Sequence, residues 1–159
     1  MIETMYAAPG IGLAANQVGV PYRVFVMIGS PADYACFNPK IVGFSNEIVE
    51  LDEGCLSFPN LFVKIKRPRD IRVRFTDYNG DVSTHTFTGM TARIFQHELD
   101  HLDGKLFYNL ADRYHREKAI KYAKKQNKIV YDKLKIEEER KKQIDRAKIN
   151  WFTAGSNNI

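Results

Sequence analysis

The sequence predicts an α+β fold, with mostly antiparallel sheets around one central helix and a long basic helix at the C-terminus. Three observations predict it. Short runs rich in Val, Ile and Phe recur through residues 1–88, separated by Gly, Pro and Asn. At Met90 the period changes and a stretch free of Gly and Pro begins. From Arg113 onward charged residues dominate at helical spacing.

The elements follow in chain order. Met1–Ala8 reads as the last turns of a helix, ended by Pro9-Gly10, and Gly10–Leu13 as a tight loop. Val18-Gly19-Val20-Pro21 is a turn, and Arg23–Ile28 is a buried strand of β-branched and aromatic residues. Gly29–Asp33 is loop. Asn38-Pro39 opens an extended stretch that continues through Ile41–Phe44, and Glu47–Leu51 alternates charged with apolar residues as a half-buried strand does. Leu61–Ile65 is extended, with an interruption at Arg67-Pro68. Ile71–Asp77 and Val82–Phe87 form the two arms of a hairpin around Asn79-Gly80, a strong turn signal. Met90–Leu102 is a helix stopped at Gly104. Arg113–Lys148 is a second long helix. Its Ile120, Ala123, Asn127, Val130 and Leu134 recur at spacings of three and four, a seam that can lie against a surface. The seam lapses at the wholly charged run Glu137–Lys142.

Charge divides the chain in two. Residues 1–112 carry 10 Lys/Arg against 13 Asp/Glu, whereas residues 113–148 carry 14 against 6, and the last eleven are uncharged. The expected organisation is a body of residues 1–112 and a basic helical tail of residues 113–159. With 44% hydrophobic residues in 159, one packed core is available. No apolar run approaches the ~20 residues that span a bilayer. The start Met1-Ile2-Glu3-Thr4 has neither part of a secretory signal. Cys36 and Cys55 imply no disulfide framework, so a reducing cytoplasm is expected.

The strongest chemical signal is His97-Glu98-Leu99-Asp100-His101. Residues four apart share a helix face, so His97 and His101 can offer two imidazoles to one metal ion, with Glu98 beside them to act on water. Charged helices also produce this pattern by chance. Two further features support the metal reading. Met90 and Ile94 share the histidines' face, which turns it toward the buried side, where polar groups need partners. Glu53-Gly-Cys-Leu-Ser57 offers a thiolate as third ligand, and catalytic ions typically keep three protein ligands and one open position. Cys36, between Ala35 and Phe37, reads as a small buried residue.

Gly10-Ile-Gly-Leu-Ala-Ala-Asn-Gln17, Glu53-Gly-Cys-Leu-Ser57 and Gln96-His-Glu-Leu-Asp-His-Leu-Asp-Gly104 resemble, in order, the three signature motifs of peptide deformylases. Arg23-Val-Phe-Val, Asn38-Pro39, Arg67-Pro68 and Leu106-Phe107 extend the resemblance over Met1–Asp112. It implies removal of the formyl group from N-terminal formyl-methionine of nascent chains. It implies Cys55, His97 and His101 as metal ligands and Glu98 as general acid/base. Gln17 and the backbone N–H of Leu56 are implied as donors to the formyl oxygen, and Ile11 and Gly12 as lining of the peptide groove. The implied metal is iron(II), with nickel, cobalt and zinc as alternatives. Met90 and Ile94 are candidates for the wall of a methionine pocket, with ordinary core packing as the competing account. In bacterial relatives the C-terminal helix anchors the enzyme on the ribosome, which implies RNA contacts by Lys118, Lys121, Lys124, Lys125 and Lys128. A monomer without membrane attachment is expected.

Only nine residues precede Gly10, where family members usually have thirty or more, so either the chain is naturally short there or it begins at an internal methionine. Three rival readings are weaker. A His-Glu-x-x-His zinc peptidase usually takes His or Glu as third ligand, which the Cys55 motif opposes. A catalytically dead relative is opposed by intact Gln17, Cys55, Glu98, His97 and His101. An RNA-binding protein built on the tail would need a stacking or fold signature that the sequence lacks.

Overall fold

The computed structural model describes residues 1–155, with side chains placed through Ile136 and over 139–143. In order, the elements are α1 (Ile2–Ala7), β1 (Gly12–Ala14), β2 (Val24–Met27), β3 (Tyr34–Phe44), β4 (Ile48–Cys55), β5 (Phe58–Pro68), β6 (Asp70–Thr76), β7 (Val82–Thr88), α2 (Gly89–Leu102) and α3 (Arg113–Gly155). Two 3-10 turns, Ala15–Val18 and Phe107–Leu110, join them. Five strands form an antiparallel sheet in the order β1-β2-β3-β6-β7, and β4 and β5 form a separate hairpin. The α+β architecture read from the sequence is the architecture found.

Helix α2 sits between the two sheets because its faces differ chemically. Ala92, Ile94 and Phe95 pack on Phe25, Met27, Val73, Phe75 and Phe87 of the large sheet. Phe25 and Phe95 meet edge to face, 5.0 Å apart. Each such side chain stabilises by about 1.5–3 kcal/mol through burial. Arg93, Gln96 and His97 on α2 bond instead to the β4–β5 hairpin. Gly104, at φ +69, ends the helix in the left-handed region, as the sequence suggested.

Several elements depart from the sequence reading. The expected loop at Gly10–Leu13 runs into β1, whose Gly12, Leu13 and Ala14 pair with Met27, Val26 and Phe25. Three residues buried together cannot show an alternation, so the strand left no periodic signal. β3 begins at Tyr34 rather than at Asn38. Asn38, at φ +49, and Pro39 stand where its register against β6 shifts, the position at which a sheet tolerates proline. β4 runs past Leu51 to Cys55, and its inward face reaches Glu53. Arg67-Pro68 does not interrupt β5. Leu61, Val63, Ile65 and Arg67 are buried in strict alternation, and Pro68 falls on its last position.

The seam of α3 is used only in part. Ala123 is buried with Leu61, Val63, Ile65 and Phe107, and Ala119 and Ile120 pack beside it. Val130 and Leu134 are 49% and 55% exposed. Among the described residues, the surface that could cover them ends with β5 and the Phe107–Leu110 turn. Of the charged run, residues 139–142 are exposed, while the side chains of Glu137 and Glu138 lie outside the described residues. No described helix is long and apolar enough to cross a membrane.

Candidate metal centre and peptide cleft

Cys55 at the end of β4 and His97 and His101 on α2 bring one donor atom each to a common point, all within 4.8 Å of one another. Cys55 Sγ lies 3.2 Å from His101 Nε2. His97 turns Nδ1 to Glu53 Oε2 at 3.1 Å, which leaves Nε2 for a metal ion. Burial alone would raise the Cys55 thiol. Hydrogen bonds from His101 and His97 outweigh it and draw the thiol down to about 6, so the sulfur is readily available as thiolate. A soft anionic donor and two imidazoles within one small sphere fit a divalent transition ion.

A buried ionic network holds this set. Burial opposes the charge of Glu53, but hydrogen bonds from His97 and Arg67 and the Arg67 charge bring its carboxyl to about 2. Arg67 Nε and Nη2 bond Glu53 at 2.6 and 3.0 Å, and Arg93 Nη1 bonds it at 2.7 Å. Arg67 Nη1 continues to Asp100 of α2 at 2.7 Å. Arg93 also donates to the Ile65 and Val49 carbonyls. Hairpin and helix are thereby joined by fixed charges at the base of the metal donors. A carboxylate bearing two guanidiniums and one imidazole has its lone pairs met, which offsets the desolvation of the group.

Glu98 points the other way, toward β1, and is 4% exposed. Burial raises its carboxyl to about 7 against the opposing charges of His97 and His101. Its Oε2 has no hydrogen-bond partner. A buried carboxyl oxygen left unpaired beside three metal donors is poised to exchange a proton with a molecule in the site. Gly12 makes room for it, since a Cβ there would lie 2.3 Å from Glu98 Oε1.

Gln17 is fixed by its Oε1, which accepts the Ala14 N–H at 2.8 Å. Its Nε2 is thereby directed at Ser57 Oγ, 3.0 Å away, and Cys55 Sγ, 3.5 Å away. The site opens into a cleft of about 520 Å³, in which Ile11, Leu56, Phe58, Phe62 and Met90 supply apolar walls.

The polypeptide deformylase family model matches residues 1–117. The chain belongs to that family. A peptide deformylase of Phenylobacterium zucineum is 44% identical over 133 residues, which is 80% of this chain and 79% of that one. One of Afipia carboxidovorans is 42% identical over 134 residues, 81% and 78% of the two chains. The crystal structure of the Ehrlichia chaffeensis peptide deformylase superposes with a TM-score of 0.73 at 41% identity, covering 82% of this chain and 81% of that one. The Legionella pneumophila peptide deformylase gives 0.75 at 34% identity, with 82% and 79% covered. As a peptide deformylase the chain is a metal-dependent hydrolase that releases formate from the formyl-methionine terminus of nascent polypeptides.

Every residue that the sequence singled out at the deformylase site borders the same space, except that His101 lies below the cleft lining, on Cys55. Ile94 divides its side chain between cleft and core, while Met90 is 56% exposed at the rim. The sequence reading missed the Glu53–Arg67–Arg93–Asp100 network and the Phe58–Phe62 wall. Arg67 carried a signal that was available, since it continues the buried phase of Leu61, Val63 and Ile65.

Proposed function

We propose that Cys55, His97 and His101 hold one divalent metal ion, and that Glu98 is the general acid/base of deformylation. The unpaired, buried Oε2 of Glu98 beside the donor set is the observation that carries this reading. When bound, the ion supplies positive charge that acidifies water and polarises the formyl oxygen. Glu98 accepts a proton from the attacking water as its oxygen adds to the formyl carbon. Gln17 Nε2 and the Leu56 N–H donate to the oxygen that becomes negative, and such preorganised donors contribute about 2.7–4 kcal/mol each in known cases. Glu98 then delivers its proton to the departing nitrogen, which leaves formate and a free amino terminus. Ile11 and Gly12 line the groove along β1, and Met90 and Ile94 face the first side chain. An extended peptide pairs with the exposed edge of β1, which has only β2 as its neighbour in the sheet.

Iron(II) is the native ion in this reading, with zinc, nickel and cobalt as functional substitutes. The enzyme works in the cytoplasm as a monomer. Replacing Glu98 with Ala is expected to leave the metal in place, measured by elemental analysis, and to lower formate release from formyl-Met-Ala-Ser by about 10²–10⁴-fold. Cys55→Ala is expected to lose the metal instead. Metal loss from the Glu98 variant would make that residue a ligand and overturn the assignment.

A second reading concerns the tail. The net charge of +8 on residues 113–148 supports docking on ribosomal RNA. Lys118, Lys121, Lys124, Lys125 and Lys128 are all exposed along α3, as phosphate contacts must be.

A further inference from the structure

The β4–β5 hairpin carries a bulge beside the metal donors. Cys55 stands opposite Phe58, whereas Gly54, one residue earlier, stands opposite Phe62. One step along β4 therefore faces four along β5, and Pro59, Asn60 and Leu61 are the residues inserted. Asn60 has φ +65, a conformation that asparagine enters more readily than most residues. Pro59 and Asn60 line the peptide cleft together with Phe58 and Phe62.

This wall is held from behind by α3. Asn127 Nδ2 donates to the Pro59 carbonyl at 3.1 Å, and Asn127 Oδ1 accepts from Asn60 Nδ2 at 2.6 Å. One and two turns earlier, Ala123 and Ile120 share a packed cluster with Leu61 and Phe58. The Phe58 ring is braced by Tyr108 at 5.1 Å and Phe107 at 6.2 Å. Bulges beside active sites aim side chains, and this one takes its shape from a helix outside the cleft.

We propose that Asn127 is a positioning residue for substrate, and that the start of the C-terminal helix is a working part of the peptide groove. Asn127 reaches neither the metal donors nor Glu98. It fixes the Pro59–Asn60 wall. On the function proposed above, with the first side chain at Met90 and Ile94, a peptide meets this wall beyond its first residue. Substrates that extend past the formylated residue therefore depend on Asn127, and substrates that end there do not.

The test compares the metal-loaded full chain with its Asn127→Ala variant on formyl-Met-Ala-Ser and on formyl-methionine amide. Alanine is favourable at an exposed helical position, so the helix is kept. Losing two hydrogen bonds is expected to raise KM for the tripeptide about three- to tenfold, with kcat unchanged and both constants unchanged on the amide. Asn127→Asp keeps the acceptor for Asn60 and loses the donor to Pro59, and its KM is expected to fall between the two. An unchanged tripeptide KM would refute the proposal. So would an equal fall in kcat on both substrates, which is what a merely structural role would produce.

Discussion

At the scale of single residues, the site rests on a carboxyl group with nowhere else to go. Glu98 is buried against β1, its Oε2 is unpaired, and burial raises it toward neutrality, where an acid and a base are equally accessible. Gly12 is the other half of this arrangement, because any side chain there would occupy the space of Glu98 Oε1. Gly12→Ala is therefore expected to keep the metal and the fold while lowering kcat about 10²-fold, the consequence of displacing a reacting group by about 1 Å. Formate release and metal content measured on one preparation check this. Wild-type kcat in that variant would mean that Glu98 has freedom the packing does not suggest.

At the scale of elements, α2 is a helix with two kinds of neighbour. Its apolar side belongs to the large sheet, and its polar side is joined to the hairpin through Glu53, Arg67, Arg93 and Asp100. The network sets the distance between Cys55 on one element and His97 on the other. Glu53→Gln leaves two buried guanidiniums short of a charge. It is expected to destabilise the protein by about 3–5 kcal/mol in urea unfolding and to weaken metal binding about 10–100-fold, since His97 loses its orienting partner. Unaltered metal affinity together with lowered stability would limit Glu53 to a structural role.

At the scale of the whole molecule, the start of the basic helix packs on the body. Ala123 is buried against β5, so deleting the helix from its start would expose Leu61, Val63 and Ile65. Ribosome docking is better tested by replacing Lys118, Lys121, Lys124, Lys125 and Lys128 with Gln, since all five are exposed and the seam is left intact. Co-sedimentation with ribosomes is expected to weaken, and its salt dependence to flatten by about one unit of log–log slope for each phosphate that is no longer neutralised. Activity on formyl-Met-Ala-Ser is expected to stay the same. Binding that survives all five substitutions would place the docking surface elsewhere.

The sequence by itself determined the chemistry. His97 and His101 could be read as one face, with Glu98 beside them, because helical spacing is local, and Cys55 because a thiolate beside such a pair is chemically specific. The hairpin at Asn79-Gly80 and the helix stop at Gly104 were legible for the same reason, since both depend on a few neighbouring residues. Only the tertiary structure decided what depends on the meeting of distant segments. β1 is a strand because β2 pairs with it, and Arg67 is buried because Glu53 and Asp100 meet it. Asn127 reaches the cleft wall because α3 crosses the bulge in β5. A three-residue strand is too short to carry a period, and Arg67 and Asn127, though each continues the period of its own element, give no sign of what they meet. Their partners lie far off in the chain, and the free energy that fixes each is that of a pair rather than of a residue.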